Sequence, residues 1–256
     1  MNKGIIIQAR TGSTRLPDKI IIPFYDKKSI LELLINRILE SKTVSPTKIV
    51  IATTIDCRDD CIASLGEQLG VSVFRGAESD VLERFIMAAQ EYKIDKIIRI
   101  CSDNLFIDLE SLKHLYNCLD EPGYDYCSFI TSSGVPSIKT HSGFFMEGVT
   151  LKTLCRVRDL TVNRIYHEHV TNYIYEHPDE FNCKFIPVCE MIPDVEKYIN
   201  LRLTTDTELD FVTQNEIYTH LVVNNLEISP QNIFDFLDCR PDIYEVMREL
   251  KIQNSK

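Results

Sequence analysis

The chain has 256 residues, 44% of them hydrophobic and 26% charged, the make-up of a globular protein with a sizeable core. Its formal net charge of -10 argues against a general nucleic-acid binder, which presents a basic face, but leaves room for one anionic ligand in a local cationic cluster. No apolar run approaches the roughly 18 residues that span a membrane, "MNKGIII" is too short for a signal peptide, and nine scattered cysteines, an odd number, fit reduced thiols in a cytoplasmic chain.

In chain order, "KGIIIQA" reads as a buried strand. "SILELLINRILESK" (29–42) follows as a helix with Ser29 at its N-cap. "TKIVIATT" (47–54) is the next strand. "DCRDDCIASLGEQLG" (56–70) is a helix opened by Asp56 and closed near Gly70. "VSVFRG" (71–76) is a strand, "SDVLERFIMAAQEYK" (79–93) a helix capped by Ser79, "DKIIRICSD" (95–103) a strand and "DLESLKHLYNCLD" (108–120) a helix. This alternation predicts a mostly parallel sheet with helices on both faces. The rhythm changes after about residue 121. "YDYCSFIT" and "SGFFMEGVT" read as strands, as do "CKFIPVC" and "YINLRLTTD" after a helix at roughly 161–177. The helices "DTELDFVTQNEIYTHLVV", "SPQNIFDFL" and "PDIYEVMREL" close the chain. One domain, 1–256, is expected, with a mixed-sheet portion at 121–205 and C-terminal helices at 206–256.

The loop "ARTGSTRLPDK" follows the first strand, where open α/β sheets bind ligands. Gly12 lets the backbone come close, Ser13 and Thr14 offer hydroxyls, and Arg10, Arg15 and Lys19 supply charge suited to a polyphosphate. Backbone N–H groups in such a loop can form an anion-binding nest. Neither the Walker A pattern nor G-x-G-x-x-G is present, and a solvated basic turn stays open as the plain alternative. Asp103 also ends a strand, and Mg²⁺ takes one or two carboxylates beside phosphate oxygens. A turn role remains open for Asp103, and a helix N-cap for Asp206.

The stretch "IIQARTGSTRLPDK" resembles the N-terminal signature of the CMP-sugar synthetase-like cytidylyltransferases. Ser13-Thr14-Arg15-Leu16-Pro17 and Lys19 look like the run in CMP-KDO synthetases. The whole chain is more similar to the spore coat polysaccharide biosynthesis protein F group. Collinear matches continue through "IVIATT", "VFRGAESDVLERF", "IIRICSDNLFID", "HEHVTNYI" and "LRLTTDTELDF". The resemblance implies a GT-A-like, Rossmann-like fold and Mg²⁺-dependent transfer of CMP from CTP to a sugar acid or related small acceptor, for surface polysaccharide synthesis. It implies that Ala9, Arg10, Gly12, Ser13, Thr14, Arg15, Lys19 and Ser102 hold the nucleotide. Lys19, Arg15 and Asp103 would carry catalysis, and Asp103 and Asp206 the metal. Glu147, Glu168, His169 and Arg202 would meet the acceptor. A homodimer is implied by related synthetases.

The chain departs from the family pattern at three places. Asp18 stands where the family has glycine in R-L-P-G-K. Cys101 stands where CMP-KDO synthetases have a base-reading glutamine. "SDNLFID" replaces "GDCPLID". Two rivals follow: a GT-A glycosyltransferase using a nucleotide sugar, and a non-catalytic nucleotide binder, which Asp18 and Cys101 favour. His167 and His169 sit two apart, so they cannot share a zinc from one helix. Packing or capping stays open for Glu168 and His169. Arg99, in an apolar strand, needs a buried carboxylate or a route to the site, and Arg75 reads as structural. Cys57 and Cys61 lack the second pair a zinc site needs.

Overall fold

The computed structural model describes residues 1–253. Seven strands form one sheet in the order β5-β4-β1-β6-β8-β7-β9. They are β1 (Lys3–Gln8), β4 (Ile49–Thr54), β5 (Ser72–Gly76), β6 (Lys96–Cys101), β7 (Tyr126–Ile130), β8 (Glu147–Thr150) and β9 (Cys183–Pro187). Two short strands, β2 (Pro23–Tyr25) and β3 (Lys28–Ser29), pair apart from it. β1, β4, β5 and β6 are parallel, whereas β8 runs antiparallel to both β6 and β7. The mixed, mostly parallel sheet expected from the alternation is therefore present.

The apolar run Ile5-Ile6-Ile7 is wholly buried because both faces of its strand are covered. Ile5 and Ile7 join Ile49, Ile51, Ile98 and Ile100 in the larger core. That core takes in α1 (Ile30–Glu40), α4 (Leu109–Cys118) and the C-terminal helices α9 (Glu208–Val223), α10 (Pro230–Cys239) and α11 (Pro241–Gln253). Ile6, Val50 and Ile97 face the other way, against α3 (Val81–Glu91) and α5 (Leu151–Leu160). α2 (Asp60–Gln68) contributes Ile62 to the larger core.

Several boundaries differ from the sequence reading. Ser29 caps α1 as expected, but α3 is capped by Asp80, whose carboxylate accepts from the Glu83 N–H, and not by Ser79. The helix expected over 161–177 is two short ones, α6 (Arg164–Glu168) and α7 (Asn172–Glu176). Between them Val170 sits at φ 51°, and no α-helix runs through a positive φ. The strand expected at 142–150 pairs only from Glu147 onward. The segment 198–206 is not a strand. Residues 201–206 are all buried, but the backbone joins no sheet and makes scattered bonds, among them Leu203 N–H to the His141 carbonyl and Thr205 N–H to the Asp103 carbonyl. A further short helix, α8 (Val188–Met191), follows β9.

Candidate active site

The loop after β1 is held from below by one carboxylate. Asp59, 2% exposed, accepts from the Thr11 N–H at 2.8 Å and the Thr11 hydroxyl at 2.7 Å. Its other oxygen accepts from the Thr54 hydroxyl at 2.5 Å and the Thr54 N–H at 3.3 Å. Burial pushes the Asp59 carboxyl upward, but these donors outweigh burial and hold it below its usual range. Asp18 occupies the expected glycine position at φ 59°, a conformation aspartate tolerates better than most residues. Its carbonyl accepts from the Ile21 and Ile22 N–H groups, and its side chain is exposed outside the cleft lining.

Between this loop and the ends of β1 and β6 lies a compartment of about 330 Å³. Arg10, Gly12, Ser13, Thr14, Arg15 and Lys19 line one side, and Ser102, Asp103 and Asp206 the other. Ala9 is buried at the loop's root, its N–H bonded to the Ala52 carbonyl. Lys19 is the hub. Its Nζ lies 2.8 Å from Asp103 Oδ2, 2.5 Å from the Thr205 carbonyl and 3.4 Å from Asp206 Oδ1. Burial pulls the Lys19 ammonium down, but the Asp103 and Asp206 carboxylates outweigh it and raise its pKa above the ordinary lysine value. Arg15 reaches Asp206 Oδ1 at 3.0 Å.

Asp206 does not cap α9. Thr207 does, in a capping box with Asp210, leaving the Asp206 side chain free to face the cleft. Arg202 fixes the arrangement from behind. It donates to Asp210 at 2.6 Å and 3.0 Å and to Asp206 Oδ2 at 3.4 Å. Asp103 and Asp206 thus converge on one cation. No cluster of three or more His, Cys, Asp or Glu suited to a metal exists among the described residues. Two carboxylates fit Mg²⁺ when phosphate oxygens and water complete its shell.

A second compartment, about 520 Å³, opens on the far side of the same carboxylates. Gln8, Cys101, Asp103 and Asp206 line both spaces. The remaining wall comes from Arg99, Asn104, the segment 137–143 apart from His141, Phe145, His169, Asn172, Tyr175, Glu176 and Thr204. Lys139 pairs with Glu176 at 3.2 Å across this wall. Lys139, Asn172, Tyr175 and Glu176 were missed in the sequence, because nothing in a loop and a five-residue helix signals which residues face a cavity. Glu168 lines the loop compartment, 3.8 Å from Arg10, and His169 lines the second one, so the break at Val170 follows a pair that spans both.

Two expected acceptor contacts are corrected. Glu147 is wholly buried and lines neither compartment. It binds Arg99 at 2.5 Å, accepts from Thr171 at 2.9 Å and bonds the Tyr126 hydroxyl. Arg202 is 1% exposed and lies behind Asp206. Both carry out positioning: Glu147 holds Arg99, and Arg202 holds Asp206. His167 bonds Asp80 at 2.8 Å and the Thr161 carbonyl at 2.9 Å, apart from His169's cavity wall. Arg75 bonds the Thr54 and Asp56 carbonyls and Asp60, a structural role. Cys57 and Cys61 are free thiols.

Residues 4–249 match the family model described as Cytidylyltransferase. The spore coat polysaccharide biosynthesis protein SpsF of Bacillus subtilis is 30% identical over 240 residues, 93% of this chain and 94% of that protein. A solved cytidylyltransferase structure from Leptospira borgpetersenii is 29% identical, superposes with a TM-score of 0.82 and covers 95% of this chain and 97% of its own. A CMP:2-keto-3-deoxy-manno-octonic acid synthetase, solved in complex with CTP, shares the fold at a TM-score of 0.63, with 13% identity over 86% of this chain and 99% of its own.

Proposed function

This chain belongs to the cytidylyltransferase family and is a CTP-dependent nucleotidyltransferase, and from that premise we propose that it moves CMP from CTP to a sugar-acid-like acceptor for surface polysaccharide synthesis, with Mg²⁺ as cofactor. The observation that carries the reading is the shared wall. A cationic loop compartment and a larger polar compartment meet at Asp103 and Asp206.

The triphosphate enters the loop compartment, where Arg10, Arg15, Lys19 and the backbone of Gly12, Ser13 and Thr14 meet its charge. Ser102 lines the same space beside Asp103. Asp103 and Asp206 would hold Mg²⁺, which when bound supplies charge neutralisation at the phosphate oxygens. The acceptor approaches from the second compartment, between His169 and the 137–143 segment, with Glu168 at the boundary. An acceptor oxygen bonds to the α-phosphorus as the bond to the bridging oxygen breaks, and pyrophosphate leaves with that electron pair. The protein supplies position and charge stabilisation, as in other phosphoryl transfers. Arg99, fixed by Glu147, shapes the acceptor side.

The family match favours this reading over a glycosyltransferase. The geometry of Asp18 weakens one argument for an inactive member. The name of the Bacillus subtilis relative, spore coat polysaccharide biosynthesis protein SpsF, supports the polysaccharide assignment. A homodimer remains part of the proposal, checked by sedimentation. The ligand test is calorimetry with CTP, ATP, GTP and UTP, with and without Mg²⁺. Tight binding of CTP alone, weakened by Asp103→Ala, is expected; equal binding of all four would overturn the cytidine assignment.

A further inference from the structure

We propose that Lys19 and Arg15 form an interlock: in the nucleotide-free protein they hold one oxygen of each of the two metal carboxylates, so a divalent cation binds well only together with a triphosphate. The inference rests on the metal and triphosphate roles proposed above for this site, and it adds an order of assembly to them.

All three Lys19 donors are already spent, on Asp103, Asp206 and the Thr205 carbonyl. Arg15 holds the same Asp206 oxygen as Lys19. The other Asp206 oxygen faces Arg202. Around this point three carboxylates (Asp103, Asp206, Asp210) meet three permanent cations (Lys19, Arg15, Arg202). A lone divalent cation therefore arrives at a neutral cluster in which Asp103 Oδ2 and both Asp206 oxygens are already paired. It would have to displace an ammonium that lies in contact with both carboxylates.

A triphosphate changes the balance. It brings several negative charges into the loop compartment, beside Lys19 and Arg15. Both side chains can turn toward it: lysine carries its charge on a flexible four-carbon stem, and the Arg15 side chain is 48% exposed. Arg202, fully buried and bonded twice to Asp210, stays. Asp103 and Asp206 are then released as the phosphate oxygens arrive, giving the mixed carboxylate and phosphate set that Mg²⁺ takes. By linkage, metal must tighten CTP by the same factor that CTP tightens metal.

The test is Mn²⁺ titration followed by electron paramagnetic resonance on nucleotide-free protein: wild type, Lys19→Met, Lys19→Gln and the charge-keeping Lys19→Arg. Circular dichroism checks the fold, and the two neutral variants guard against one failing to fold. Wild type and Lys19→Arg should show little saturable binding. Lys19→Met or Lys19→Gln should bind Mn²⁺ at least tenfold more tightly, and adding Asp103→Asn should abolish the gain. Wild type binding Mn²⁺ as tightly as the neutral variants would overturn the interlock. In a second arm, CTP is titrated by calorimetry in chelator and in Mn²⁺, where at least a tenfold tightening by the metal is expected. CTP binding equally well in both would overturn the coupling. Failure of CTP to bind at all would sink the proposed function, while the nucleotide-free comparison would still decide the interlock.

Discussion

Asp59 and Asp206 show how one residue type serves two ends. Asp59 is buried and satisfied four times by Thr11 and Thr54, so it organises the loop. Asp206 sits one residue before a helix whose cap is Thr207, so its carboxylate is spared for the cleft. The motif made Asp206 legible as a candidate, but the choice between cap and ligand turned on the neighbouring threonine. Asp59 went unremarked, because its role depends on two strands separated by forty-odd residues of chain. His167 gives a prediction at this scale. Burial lowers its pKa, but the Thr161 carbonyl and Asp80 outweigh burial and raise it above the usual value. A raised folded pKa means that its stabilisation is complete below about pH 6.5 and is lost as pH rises through the folded value. Thermal midpoints measured from pH 5.5 to 8.5 should therefore fall more in wild type than in His167→Gln. Parallel curves for the two proteins would remove His167 from the account.

Among the elements, the β6–β8 pairing sets Arg99 in the wall of the second compartment. Arg99 and Glu147 are direct register partners on these antiparallel strands, and both are buried. The sequence offered Arg99 a buried carboxylate or a route to the site, and the structure gives it both, Glu147 and a place in the second compartment's wall. The same burial keeps Glu147 out of both compartments, which a motif match could not reveal. Glu147→Ala leaves a buried guanidinium without its counter-ion and should destabilise the fold by about 3–5 kcal/mol in urea unfolding. A loss of less than about 1 kcal/mol would show that Arg99 finds other partners. The continuous apolar runs of β1 and β4 and the helical spacing of α1 were legible. The 161–177 and 198–206 segments were not. The first breaks at a valine with positive φ, which sequence does not mark. The second reads like a strand because all of 201–206 is buried beside the cleft without joining the sheet.

For the whole molecule, the sheet's carboxyl ends gather the site from residues far apart in sequence. The loop after β1, Asp103 after β6, the 137–143 segment, α7 and Asp206 before α9 meet around one cleft. The loop compartment was largely readable, since its charges cluster in a single loop. The second compartment was not, since its wall is assembled from short loops and a short helix without a motif. The central claim is that CTP on one side of Asp103 and Asp206 reacts with an acceptor on the other. The direct measurement is pyrophosphate release from CTP with Mg²⁺ across a panel of sugar acids and other small acceptors, for wild type and Asp103→Ala. The account predicts acceptor-dependent release with CTP, at least a hundredfold slower in Asp103→Ala, as expected when a group that stabilises developing charge is lost. Release at an undiminished rate in Asp103→Ala would contradict it.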